Sequence, residues 1–148
     1  DGTVSTVVDS YNGKRLNSPN DLWVHPNGSI GAKDGKTLYI SDTETEQVYA
    51  YDINAHGSLS NARLFAKRFS DGMSLDEHEN LYLSAEDGIA IFNPQGEEIE
   101  FIATPQRPAN SAFGGADGKT LYVTARKGLY AIRMNVVSNL YPDMVSRR

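Results

Sequence analysis

Three polar positions in this sequence share a spacing that could bring oxygen ligands together. Asn20, Asp71 and Asn110 each lie ten or eleven residues before the start of a predicted β-strand. One carboxylate and neutral amide oxygens suit a hard cation such as Ca²⁺ or Mg²⁺, which accepts six or more oxygens, waters included. A carboxylate beside such a cation can also accept a proton from a bound water as general base. The pattern is therefore compatible with a cation-assisted hydrolytic site whose charged member is Asp71.

Simpler interpretations of the same residues stay open. Asp71-Gly72 is a common turn sequence, although its register with Asn20 and Asn110 favours a ligand role. Asn110 is also typical of a structural residue that caps the start of a strand. The three histidines stand apart from one another in turn-like settings, which favours surface positions. Because the chain has no cysteine, any metal ion must be held by oxygen or imidazole.

An internal repeat indicates which elements position these residues. The segment Asp-Gly-Lys-Thr-Leu-Tyr-Ile-Ser at 34–41 recurs as Asp-Gly-Lys-Thr-Leu-Tyr-Val-Thr at 117–124, and a diverged copy, Glu-His-Glu-Asn-Leu-Tyr-Leu-Ser, lies at 77–84. The leucines of successive copies are 43 and 40 residues apart. This spacing is typical of the four-stranded blades of a β-propeller.

Each copy predicts a turn followed by a central strand, a second strand and an outer strand. We therefore expect an all-β fold, a single partial β-propeller domain over residues 1–148, with antiparallel sheets arranged radially. The Asn or Asp that precedes each copy should begin the innermost strand, beside the central channel. The residues predicted to lie on central strands are Leu38, Tyr39, Leu81, Tyr82, Leu121 and Tyr122.

The first copy breaks the count. Counting ten residues from Asn20 reaches Ile30, where a central strand should begin, yet Leu38 follows only eight residues later. Asn27 lies eleven residues before Leu38 and so fits the opening of the next blade. We therefore predict that about one blade is missing near residues 25–33, through deletion, through engineering, or because residues are absent between joined segments. Residues 135–148 show no pattern and are predicted to form a C-terminal tail.

The composition and charge of the chain exclude some classes of binding partner. The formal charge of -5 is dispersed, and no run of lysine and arginine occurs, which counts against nucleic acid or an anionic membrane as a partner. No apolar stretch approaches the ~18 residues of a membrane span. The chain starts with neither an initiator methionine nor a signal-like segment, so its first residue is expected to lie inside a longer gene product. The compartment, periplasmic, extracytoplasmic or cytoplasmic, is not predicted.

Several motifs, taken in order, resemble the senescence marker protein / gluconolactonase / luciferin-regenerating enzyme family. They are Asn-Ser-Pro-Asn-Asp at 17–21, Pro-Asn-Gly at 26–28, Asp-Gly-Met at 71–73 and Pro-Gln-Arg-Pro-Ala-Asn-Ser-Ala-Phe-Gly-Gly at 105–115. The resemblance runs from about residue 16 to residue 134 and follows the order of the family's second half. It implies a six-bladed propeller, of which about three blades are present here.

The resemblance also implies a site. The family holds a divalent cation in its channel through a Glu of the first blade, an Asn in a Pro-Asn-Gly context and an Asp in an Asp-Gly-Met context. Asn27 and Asp71 would be two of these ligands, Asn20 would contact substrate or metal-bound water, and the Glu has no counterpart. Ca²⁺ is the expected ion, with Mg²⁺ or Zn²⁺ as alternatives. Asn27-Gly28-Ser29 is also a good turn and a formal glycosylation sequon.

The function implied is metal-dependent hydrolysis of a sugar or other small lactone, with Asp71 as the catalytic residue. A non-catalytic propeller fragment that binds a partner is the main alternative, and the same scaffold acting on a phosphotriester or an aryl ester is a third. About three blades would leave sheet faces uncovered and edge strands unpaired. We therefore expect either a longer propeller or self-association of copies of this half-propeller.

Overall fold

The computed structural model describes residues 10–15, 19–22 and 35–139, and their regular structure consists of β-strands without any helix. No segment in this part of the chain is therefore a helix that could cross a membrane. The strands, in chain order, are β1 (Ser10–Tyr11), β2 (Lys14–Arg15), β3 (Pro19–Leu22), β4 (Thr37–Asp42), β5 (Gln47–Ile53), β6 (Leu59–Ala66), β7 (Met73–Leu75), β8 (Leu81–Ser84), β9 (Gly88–Phe92), β10 (Glu98–Ala103), β11 (Pro108–Gly114), β12 (Thr120–Ala125) and β13 (Gly128–Arg133).

Successive strands pair with their chain neighbours to form antiparallel meanders. The first sheet has the order β3-β4-β5-β6, the second β7-β8-β9-β10 and the third β11-β12-β13, while β1 and β2 form a separate hairpin. The six Leu and Tyr residues predicted for central strands lie on β4, β8 and β12, each of which has a partner on both sides. The predicted all-β propeller meander is confirmed.

The turns that lead into the central strands adopt the backbone conformation that their sequences predict. Gly35 and Gly118 have φ values of 68° and 69°, a left-handed conformation that glycine adopts without a steric penalty. In the diverged copy a non-glycine residue, Glu79, takes this conformation with φ 64°. The fully buried Asp76 carboxylate stabilises that turn, because its Oδ1 accepts hydrogen bonds from the backbone N–H groups of His78 and Asn80.

Two apolar layers hold the three sheets face to face. The layer between the first and second sheets includes Val48 and Ala50 of β5 and Leu83 of β8, all fully buried. The layer between the second and third sheets joins Ile89 of β9 to Val123 of β12. Stacking of consecutive meanders through such layers is the packing of propeller blades, and it places β7 and β11, the first strands of the second and third sheets, side by side.

Residues 135–139, the start of the predicted tail, are joined to the second and third sheets. Ser138 forms an antiparallel bridge with Asp76, and the backbone N–H of Glu77 donates to the Val137 carbonyl at 2.9 Å. The Ser138 N–H donates to the carbonyl of Gly118. These five residues therefore belong to the folded structure. Residues 140–148 and the predicted break at 25–33 lie outside the described residues.

Candidate active site

In each sheet, the strand register places the start of the first strand at the same edge as the hairpin between the second and third strands. Pro19 pairs with Asp42, Met73 with Leu83, and Pro108 with Ala125, so β3, β7 and β11 each begin next to the hairpin that joins the following two strands. Hairpin residues from the first and second sheets line one cleft, which shows that these ends face the same side. We call this edge the site edge.

The sequence-predicted residues occupy equivalent places at the site edge. Asn20 is the second residue of β3, Asp71 precedes β7 by two residues, and Asn110 is the third residue of β11. The structure brings the segment around Asp71 against Asn110, because a β-carbon on Gly72 would collide with the Asn110 amide. Asn27 lies outside the described residues.

The backbone around Asp71 is fixed by hydrogen bonds to β8. The N–H of Asp71 donates to the Ser84 carbonyl, and the N–H of Ser84 donates to the Gly72 carbonyl, both at 2.9 Å. The buried Ser70 hydroxyl donates to the same Gly72 carbonyl at 2.9 Å. The half-buried Asp71 side chain is thus attached to a backbone that is hydrogen-bonded on both sides, which restricts where its carboxylate can lie.

Asp71 lines a cavity of about 410 Å³ together with Arg107, Pro108, Ala109 and Arg126. The cavity is open to solvent at the site edge and large enough for a small ligand. Its lining residues include one aspartate and two arginines. The Asp71 carboxylate can accept a proton, and the arginine side chains can donate hydrogen bonds.

Arg107 is held in place by two contacts. Its guanidinium group lies 4.5 Å from the centroid of the Phe69 ring, a cation–π geometry. Its Nη1 lies 3.3 Å from Oε1 of Glu86 in the β8–β9 hairpin. Residues of the second sheet and its connections therefore hold Arg107, which directly precedes the first strand of the third sheet.

Sequence reasoning missed both arginines as site residues. A signal for Arg126 was nevertheless present, because Ala85-Glu86-Asp87-Gly88 and Ala125-Arg126-Lys127-Gly128 occupy the same position in consecutive repeats. The pair between Ala and Gly changes from acidic in the second sheet to basic in the third.

Among the described residues that line this cavity, Asp71 is the one whose side chain could bind a metal ion. Within residues 10–15, 19–22 and 35–139, no group of three or more His, Asp or Glu side chains could hold a metal. The Asp71 carboxylate is a suitable oxygen ligand for a hard cation. The Oδ1 atom of Asn110 already accepts the Ser111 N–H at 2.8 Å, a local contact that agrees with a structural role for Asn110.

Known proteins resemble this chain over most of its length. The family model of the SMP-30/Gluconolactonase/LRE-like region matches residues 26–127. The gluconolactonase of Zymomonas mobilis is 27% identical over 191 aligned positions, which cover 87% of this chain and 54% of the relative. The chain spans about half the length of the curated relatives that it matches.

Solved structures show the fold. A gluconolactonase from Xanthomonas campestris superimposes with a TM-score of 0.69 at 24% identity, over 90% of this chain and 62% of the other. Regucalcin from Agrobacterium tumefaciens, a calcium-binding protein, gives a TM-score of 0.65 at 20% identity, over 84% and 49% of the two chains. With its meander sheets and a family match over most of its length, the chain belongs to the SMP-30/gluconolactonase/LRE-like family.

Proposed function

We propose that this chain carries a lactone-hydrolysing site centred on Asp71. The observation that supports this most directly is a half-buried aspartate, Asp71, that lines a cavity at the site edge, in a chain whose relatives are named as lactonases. Besides the gluconolactonase, these relatives include a pentonolactonase from Haloferax volcanii and a 6-deoxy-6-sulfogluconolactonase from Pseudomonas putida, at 28% and 32% identity.

The proposed reaction uses Asp71 as general base. Water attacks the lactone carbonyl carbon while the Asp71 carboxylate takes one of its protons. The bond between the carbonyl carbon and the ring oxygen then breaks, and the proton on Asp71 returns to that oxygen as it leaves. The product is a hydroxy acid. The hydrogen bonds that tie the Asp71 backbone to Ser84 keep the base in one place during both transfers.

The proposal includes a divalent cation, Ca²⁺ before Mg²⁺ or Zn²⁺, with Asp71 and Asn27 as ligands and Asn20 in contact with substrate. This part rests on the resemblance of the motifs and on the calcium-binding regucalcin among the structural neighbours. When bound, the cation would polarise the lactone carbonyl and lower the pKa of a bound water.

The test is an assay of the full chain with glucono-1,5-lactone, in which acid release is compared with the rate in buffer alone. We expect Asp71→Asn to lower kcat by about 10²- to 10⁴-fold, the range found when a general base is removed. Asp87→Asn is the matched control, because Asp87 is an exposed carboxylate in the β8–β9 hairpin, paired with Arg68. A wild-type rate equal to that of buffer, or full activity in Asp71→Asn, would contradict the proposal.

The metal dependence is tested separately with chelator-treated protein. Activity should fall after treatment and return when Ca²⁺ is added, and Asp71→Asn should weaken binding of Ca²⁺ measured by calorimetry. Hydrolysis that is unchanged by the chelator would refute the metal dependence and leave the role of Asp71 as base to be judged by the mutation alone.

One observation favours a non-catalytic, partner-binding role as second candidate. The face of the third sheet that points away from the second sheet exposes Tyr122 by 39% and Leu129 by 68%. Exposed apolar side chains on one sheet face are typical of a surface that another molecule or blade covers. Binding of a partner without any lactone hydrolysis would favour this candidate.

We also propose, as the repeat count predicts, that about one blade is absent near residues 25–33. The alignment with the Zymomonas gluconolactonase supports this, because its 191 positions exceed the 148 residues of this chain. This chain must therefore have gaps where the relative has residues. The mass of the purified protein would reveal any residues that the sequence lacks between Leu22 and Gly35.

A further inference from the structure

We propose that Arg126, supported by Arg107, recognises an oxyanion of the ligand in the Asp71 cavity. The inference rests on the proposed function for the identity of that ligand, but its physical basis is independent of catalysis. In this inference, a residue of the third sheet recognises a negatively charged group, whereas Asp71 acts as the proposed general base.

The backbone at Arg126 is held in a conformation that arginine rarely adopts. Arg126 is the first residue of the two-residue β12–β13 hairpin and has φ 49°; glycine and asparagine are the usual residues there. The conformation is enforced by the pairing of Ala125 with Gly128. The N–H of Lys127 also donates to Oε1 of Gln106 at 3.1 Å, which ties the hairpin to the segment entering β11. Strain of this kind concentrates at binding sites.

Of the two arginines that line the cavity, Arg126 is the one without an ion-pair partner among the described residues. Arg107 is paired with Glu86, but within the described residues Arg126 makes no ion pair and no hydrogen bond through its side chain. Both arginines are lining residues of the same cavity. A planar guanidinium group binds carboxylate, sulfonate or phosphate oxygens in pairs, so the cavity suits a small anion.

The oxyanion could come from two sources that share this chemistry. It is either an acidic substituent that the lactone already carries, or the carboxylate that ring opening creates. In the first case Arg126 selects the substrate, and in the second it holds the product. Separate measurements distinguish the two sources.

The first experiment measures binding without catalysis. Calorimetry on the full chain compares D-gluconate with D-glucitol, a neutral polyol of the same carbon number. Arg126→Gln should weaken gluconate binding by about three- to ten-fold, the range for an ion pair that is partly exposed, and should leave glucitol unchanged. Lys127→Gln is the matched control, because it removes one positive charge from the same hairpin at a residue that does not line the cavity.

The second experiment compares KM for glucono-1,5-lactone, which is neutral, with KM for glucaro-1,4-lactone, which carries a carboxylate. A rise in KM for the acidic lactone alone in Arg126→Gln identifies the substituent as the oxyanion. Unchanged KM values together with weaker gluconate binding identify the product carboxylate.

Three results would overturn the inference: gluconate does not bind, Arg126→Gln weakens both probes equally, or Lys127→Gln has the same effect as Arg126→Gln. Thermal unfolding of each variant excludes loss of fold as the cause. Because the calorimetric test needs no turnover, dependence of gluconate binding on Arg126 in a chain that hydrolyses no lactone would uphold the anion site and refute only the proposed function.

Discussion

The hydroxyl groups of Ser74 and Ser111 lie 3.0 Å apart in the seam between the second and third sheets. Both side chains are buried, and they join β7 to β11, the strands that follow Asp71 and carry Asn110. We expect Ser111→Ala to cost about 1–3 kcal/mol of unfolding free energy, because it leaves a buried hydroxyl on Ser74 without this partner. The double variant with Ser74→Ala should cost less than the sum of the single changes, as measured by denaturant unfolding. Strict additivity would show that the two hydroxyls do not interact.

Gly72→Ala should destabilise the protein by about 1–3 kcal/mol through overpacking. A β-carbon at this position would lie 2.8 Å from the Ala109 carbonyl oxygen and would collide with the Asn110 amide, so β11 must move away from β7. The proposed lactone hydrolysis should fall as well, because Asp71 is the neighbouring residue.

Gly57→Ala provides the comparison for that variant. Gly57 has φ 80°, and no atom of the described residues beyond its chain neighbours lies within 4 Å of the position that a β-carbon would take. Its substitution therefore costs only backbone strain and should leave the proposed hydrolysis unchanged. A stable Gly72→Ala variant with normal activity would mean that the two strands are not closely packed in solution.

Asp117 and Arg133 form an exposed ion pair that should make stability depend on pH. Hydrogen bonds from Arg133, with one from the backbone N–H of Lys119, lower the pKa of Asp117 from 3.8 to about 2. Since the pKa is depressed in the folded state, the stabilisation is present above about pH 4 and is lost as the pH falls towards 2. The difference in thermal midpoint between wild type and Asp117→Asn should therefore shrink over that interval. Arg133→Gln should show the same dependence of the thermal midpoint difference on pH. A difference that is independent of pH would contradict a lowered pKa of Asp117.

Leu129 should contribute to self-association if the outer face of the third sheet meets a second copy. Leu129→Glu places a charge on that face and should shift the mass measured by light scattering at high concentration towards the monomer. Ile99→Glu is the control, since Ile99 is 53% exposed but lies on β10, at the edge of the second sheet. Equal effects of both variants would indicate nonspecific aggregation.

The repeat predicted the fold because its information is local. Asp-Gly before Leu-Tyr specifies a left-handed turn and a strand with alternating faces, and this pattern placed Leu38, Leu81 and Leu121 on β4, β8 and β12. The same count placed Asn20, Asp71 and Asn110 at equivalent points of three sheets.

Other parts of the structure depend on contacts that no local pattern records. The repeat distinguishes Arg126 only by a change from acidic to basic residues between two hairpins, and its place at the cavity depends on packing between sheets. The attachment of Val137 and Ser138 uses backbone groups, which every residue type except proline offers in full. The ligand roles of Asn27 and Asp71 and the substrate contact of Asn20 stay predictions.

The docking of residues 137–139 has a consequence for the order of folding. The bridge between Asp76 and Ser138, and the hydrogen bond from Val137 N–H to the Glu77 side chain, join positions about sixty residues apart. On a ribosome, the second sheet can form all its own strand pairs yet lacks this closing contact until the third sheet has been synthesised. Non-local contacts slow folding, so a nascent chain should pass through a stage in which the turn around Asp76 is open to proteases or chaperones.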